Sequence, residues 1–163
     1  APQKPTQAFA IERIYLKDLS FEVPQGAASF TKQWQPRLTQ DVVAKINKID
    51  DDHYEVVLRV TIAVKEAEQT AYLVEVHQAG VFLIRGVKGD ALTVLLNTHC
   101  PAILFPYARE AVDSVVVKGS FPALALPPVN FEALFQQAIL EARKKAAATK
   151  NASTADANTD RPN

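Results

Sequence analysis

The first half of the chain alternates apolar and polar side chains with a period of two, the pattern of a β-strand with one buried face. The clearest run is Tyr54, Val56, Leu58, Val60, Ile62 and Val64, with Glu55, Arg59 and Thr61 on the other face. A second run sets Trp34, Leu38, Val42, Ala44 and Ile46 opposite Gln35, Arg37, Asp41 and Lys45. Asp50-Asp51-Asp52 lies between them as a turn cluster, so the two runs predict a hairpin. Upstream, a strand from Ala8 to Val23 ends at Pro24. Its later half puts Tyr15, Leu19, Phe21 and Val23 on one face and Asp18, Ser20 and Glu22 on the other. Thr70 to Ile84 reads as a further strand with a bulge at Gly80. Four long antiparallel strands with one solvated face account for the pattern.

The second half changes to helical spacing. Asp90 to Lys118 predicts one long helical stretch, interrupted by Pro101 and Pro106. Each proline removes a donor and crowds the preceding turn, so a kink or break is expected there. Gly119 suits the stop. The connection that follows is unusual for a loop, because Phe121, Leu124 and Leu126 sit among prolines. It either packs down on the core or walls an apolar groove, and the aromatic segment from Gly26 to Trp34 would face it across such a groove. Asn130 caps a final helix with Phe131, Leu134, Phe135, Ala138 and Ile139 on one stripe. The expected architecture is therefore α+β: a four-stranded antiparallel sheet, a long kinked helix and a C-terminal helix on one side.

Composition adds boundaries. Residues 1–7 read as a polar arm, 8–145 as the domain, and 146–163 as a tail without large apolar side chains, expected to be disordered. The 18 basic and 18 acidic residues cancel, so neither nucleic acid nor an anionic membrane is the expected main partner. The cancellation is uneven: residues 1–140 carry 13 basic and 15 acidic side chains, and residues 141–163 carry 5 and 3. One cysteine, Cys100, excludes an internal disulfide. No unbroken apolar run approaches a membrane span, and no signal-peptide core is visible, so the expectation is a cytoplasmic protein.

Catalytic chemistry is almost unrepresented. No phosphate-cradling glycine loop exists, which leaves ATP chemistry unsupported. His99 and Cys100 are adjacent on a helix and so point about 100° apart, a poor nucleophile–base pair. No His, Asp or Cys spacing matches a metal site. The expectation is no enzyme, no cofactor and no metal, with a small enzyme using Cys100 as the outlying alternative. Asp18 and Glu22 share a strand face, and Glu75 shares a face with Leu73. If those strands are neighbours, they form an acidic patch with an apolar centre, suited to a basic partner.

The chain resembles the SecB family of bacterial protein-export chaperones. The resemblance runs from about Phe9 to Phe135. It is carried by Arg13-Ile14-Tyr15, Ser20-Phe21-Glu22, Trp34-Gln35-Pro36 and Tyr54 to Thr61. Its most specific parts are Cys100-Pro101, Ile103 to Glu110, Phe121-Pro122 and Pro128 to Phe131. It implies a homotetramer, a dimer of dimers, that holds unfolded precursor polypeptides in the cytoplasm without ATP and passes them to SecA. It assigns SecA binding to Asp18, Glu22, Leu73 and Glu75. The client groove would be lined by Tyr15, Phe21, Phe30, Trp34, Phe121, Leu124 and Leu126. A SecB-like chaperone guarding an antitoxin is the nearest alternative function.

Overall fold

The computed structural model describes residues 6–156. Four strands form one antiparallel sheet: β1 (Ala8–Glu22), β2 (Pro36–Lys48), β3 (His53–Glu66) and β4 (Gln69–Arg85), in the order β1-β4-β3-β2. The strand pattern read from the alternation is thus present, and β1 and β4 are neighbours. The acidic turn closes as expected, with Asp50 Oδ1 accepting the N–H groups of Asp52 and His53 at 2.9 Å each. The Asp52 carboxylate then binds Arg85 at the end of β4. This is the short-side-chain mimicry of a backbone turn that makes Asp common at such positions.

Past β4, α1 (Gly89–Val94), a π-helical turn (Leu95–His99) and α2 (Cys100–Lys118) form a continuous helical run. The break expected at the prolines does not occur. The π turn immediately before Pro101 routes the Cys100 N–H to the Leu95 carbonyl, so the wider turn takes up the distortion that proline imposes. Pro106 stays inside the helix. By length and composition this run is apolar enough to cross a membrane, which a search for unbroken apolar runs does not reveal. Its buried residues, among them Leu104, Ala108, Val112 and Val116, pack on β3 and β4 instead. They meet Val56, Leu58, Val60, Ile62, Tyr72, Val74, Val76 and Phe82, all buried on the inner sheet face.

Three local features depart from the sequence reading. No bulge lies at Gly80, which pairs in register with both Ile14 and Val56. A Cβ there would stand 2.8 Å from the Phe82 ring and 3.0 Å from a Leu104 methyl, so the glycine admits the helix to the sheet. The irregularities fall instead in β1, between Ile11 and Arg13 and between Leu16 and Asp18, and at the start of β4, where Ala71 is the extra residue between Thr70 and Tyr72, the partners of Lys65 and Val64. Gly119 is not the left-handed residue of the helix stop. Ser120 takes that position at φ 64°, with Ser120 N–H on Val117 O and Phe121 N–H on Val116 O. These two bonds make a Schellman ending that drives Phe121 inward.

Residues from Asn130 to Asp156 belong to a separate compact unit. Its helix, α3 (Phe131–Asp156), begins as the sequence predicts, with Asn130 Oδ1 accepting the Ala133 N–H at 3.0 Å. It continues to Asp156, into the segment expected to be disordered. Alanine at 146–148 favours helix through backbone propensity even where little apolar surface is available. Residues 1–5 of the expected arm and 157–163 of the expected tail lie outside the described residues.

Candidate functional site

The aromatic side chains flagged in the sequence converge on Phe121. Its ring centroid lies 5.2 Å from Phe30, 5.4 Å from Trp34 and 4.6 Å from Tyr72. Phe21 joins the chain through Tyr72 at 5.9 Å. Phe121 and Tyr72 are buried, whereas Phe30 and Trp34 are 53% and 37% exposed, so the cluster presents two rings to solvent on a fixed apolar base. Beside it is a cavity of about 220 Å³ lined by Trp34, Pro36, Leu38, Val64, Tyr72, Pro122, Ala123 and Leu124.

Each wall is anchored by polar contacts. The Trp34 segment is tied to the β3–β4 turn, because the Gln35 N–H donates to the Glu66 carboxylate and Lys32 Nζ to Gln69, each at 2.7 Å. Across the cavity, the Asp113 carboxylate on α2 accepts the N–H groups of Leu124 and Ala125, at 2.8 and 3.2 Å. These bonds satisfy a stretch of loop that has no ladder of its own. Burial, reinforced by the Asp113 charge, pushes the Tyr72 hydroxyl up to about 12, so the phenol stays neutral.

Not every expected lining residue joins this site. Leu126 is buried, and Leu124 rather than Leu126 lines the cavity. Tyr15 is on the opposite sheet face, beside Glu55, although Tyr15 and Phe21 have the same parity in sequence. The bulge between Leu16 and Asp18 inserts one residue and reverses the alternation, so Phe21 faces inward with Val74 while Tyr15 pairs with Ala79 on the outer face. Tyr72 is the member that the sequence reading missed. Its signal was its parity with Val74 and Val76 on the buried face of β4.

The outer face carries the acidic patch. In the β1–β4 register, Asp18 pairs with His77, Ser20 with Glu75 and Glu22 with Leu73, which places Asp18, Glu22, Leu73 and Glu75 on one surface. Asp18, Glu22 and Leu73 are exposed, and Glu75 is held by His77 Nε2 at 2.7 Å. Across the same face, β3 and β2 contribute the exposed basic residues Arg59 and Lys45. Cys100 is fully buried and its thiol is pushed up to about 12 by that burial, so it is no nucleophile at neutral pH. Among the described residues, no three metal-ligating side chains come together.

An aromatic groove on one side of the sheet and an acidic apolar patch on the other are the two features that the sequence resemblance implies. The family model for preprotein translocase subunit SecB matches residues 2–142. The chain belongs to the SecB family. Protein-export protein SecB of Cellvibrio japonicus is 51% identical over 142 residues, 87% of this chain and 85% of that protein. Its counterpart in Marinobacter nauticus is 52% identical over 139 residues, 85% and 84% of the two chains. A SecB-like chaperone of Mycobacterium tuberculosis, solved with an antitoxin peptide, has the same fold at TM-score 0.58. It is 18% identical, and the match covers 74% of this chain and 90% of that one. The protein is a SecB protein-export chaperone, and SecB proteins are chaperones rather than enzymes.

Proposed function

We propose that this SecB protein holds unfolded precursors on the Phe121-centred groove and hands them to SecA through Asp18, Glu22, Leu73 and Glu75, working as a cytoplasmic homotetramer. The observation that carries the reading is the separation of the two chemistries onto opposite faces of one sheet. Client capture is apolar and non-directional, so sequence specificity is low. Each large apolar client side chain that the groove buries contributes about 1.5–3 kcal/mol, too little for one contact to hold a chain. Repetition around a tetramer raises the effective concentration of free grooves, and preferential binding of the unfolded state draws clients away from folding. A basic partner meets the carboxylates without competing for the groove.

The export reading is favoured over an antitoxin guardian because relatives of about half identity carry the export name, whereas the antitoxin-bound chaperone is 18% identical. The test uses two variants. Asp18→Lys with Glu75→Lys is expected to abolish SecA binding in calorimetry and to leave capture of a reduced, unfolded precursor intact. Trp34→Ala with Phe30→Ala is expected to do the reverse. Wild-type SecA affinity in the first variant, or wild-type capture in the second, removes that role from the corresponding residues.

A further inference from the structure

The sheet's outer face has a second half that the acidic patch does not use. The paired registers place Asp18 (β1), His77 (β4), Arg59 (β3) and Val43 (β2) in one row across all four strands. The adjacent row runs Tyr15, Ala79, Val57 and Lys45. A cleft of about 660 Å³ opens over the β2–β3 side, with Val43 and Val57 among its apolar walls and Lys17, Lys45, Arg59 and His77 as its basic ones. Two of these four bases already have partners: Lys17 is paired with Glu55, and His77 is held by Glu75. Lys45 and Arg59 make no ion pair or side-chain hydrogen bond among the described residues, and both are exposed. Asp41, the nearest outer-face acid on β2, pairs in register with Thr61 and makes no ion pair with Arg59.

We propose that this cleft docks an extended acidic peptide segment of the partner protein. A carboxylate would sit between Lys45 and Arg59, and an apolar neighbour would sit against Val43 and Val57. Lys45 and Arg59 are diagonal neighbours on adjacent strands, close enough for one carboxylate to bridge their long side chains. A cleft of this volume suits a few residues rather than a folded domain. A polyphosphate or nucleic acid fits poorly, because only two of the cleft's four basic side chains lack an ion pair among the described residues and the chain has no net charge. Asp18 and Arg59 are two strand spacings apart, about 9–10 Å. One extended partner segment with basic and acidic residues a few positions apart therefore spans both halves in one orientation and mismatches in the other. The proposal rests on the outer face being the partner face.

The test uses the full chain and fluorescein-labelled ten-residue peptides of alternating Glu–Leu, Gln–Leu and Lys–Leu, read by anisotropy, with ¹³C-methyl spectra of Val43 and Val57. Glu–Leu is expected to shift both valines and to bind about tenfold more weakly to the Lys45→Glu/Arg59→Glu variant, while Gln–Leu, which reads the apolar groove and the intact fold, is unchanged. Asp18→Lys/Glu75→Lys should leave Glu–Leu binding intact or strengthen it. Unshifted valine methyls, or wild-type Glu–Leu affinity in the Lys45/Arg59 variant, overturns the proposal. Failure of the acidic-patch reading shows separately, as undiminished SecA binding by the Asp18/Glu75 variant.

Discussion

Replacing Gly119 with alanine probes how the end of α2 seats the aromatic groove. The backbone there is at φ −79°, ψ 6°, which alanine adopts without strain, so any cost is side-chain contact. A Cβ would lie 2.6 Å from Phe21 Cε1 and 3.3 Å from Phe121 Cδ2. Carbon atoms prefer about 3.5–4.0 Å, so the Phe21 ring must retreat by roughly 1 Å. It has little freedom to do so, because it packs on Tyr72, which in turn contacts Phe121. Overpacking of this kind costs about 1–3 kcal/mol, and the stiffer unfolded chain returns about 0.4–1 kcal/mol, leaving a net loss of about 0–2.6 kcal/mol, centred a little above 1. Phe21→Leu removes the ring edge, so in that background Gly119→Ala should cost less than about 0.5 kcal/mol, a coupling of about 1 kcal/mol. Urea unfolding at a fixed protomer concentration reads all four corners of the cycle, since subunit association contributes to stability. Equal costs in the two backgrounds would refute the reasoning, because Gly119 would then be making room for something other than Phe21.

Two further predictions concern titration. His53 is raised above 6.5, first by its hydrogen bond to Asp50 and with help from Glu12, while Asp50 is lowered from 3.8 mainly by the Asp52 N–H. The His53 contribution is thus fully present below 6.5 and fades as pH rises through the folded value; the Asp50 contribution fades as pH falls through its own lowered value. Wild type should lose stability relative to His53→Gln between pH 5.5 and 8.5, with the midpoint given by the His53 ring shifts in NMR, and a constant difference would contradict this. For Cys100, a thiol near 12 has a thiolate fraction of roughly 10⁻⁴ to 10⁻⁵ at pH 7–8, so an aromatic disulfide reagent should label it only after unfolding; rapid native labelling would revive the enzyme alternative.

Much of the sheet was legible because burial on one face imposes a strict two-residue period, as in the run from Tyr54 to Val64. The acidic patch was legible for the same reason, once β1 and β4 proved to be neighbours. What the period could not convey was its own interruption. Tyr15 and Phe21 share parity in sequence and lose it in space, because a bulge is decided by pairing with another strand. Gly80 and Gly119 were read as backbone devices, yet the space beside each is taken in part by a side chain of a distant element, Leu104 at Gly80 and Phe21 at Gly119, and such contacts leave no local trace. The prolines misled in the opposite direction: their local cost is real, but a single wider turn takes it up before Pro101, and Pro106 is carried within the helix. Phe30, Trp34 and Phe121 were recognisable as a groove because large apolar residues in loops need a packing partner. Tyr72 was hidden among ordinary strand residues.

The two bulges of β1 also decide where this strand can change length. Glu12 and Lys17 are the residues without a partner on β4. Losing either would heal a bulge and leave every other side chain on the face it now occupies. Losing a paired residue ahead of Asp18 would instead turn the remainder of the strand over, carrying Asp18 and Glu22 inward and Phe21 out to solvent. Single deletions in this strand therefore keep every remaining side chain on its face at Glu12 and Lys17, at the cost of their contacts with His53 and Glu55, and reverse the facing elsewhere.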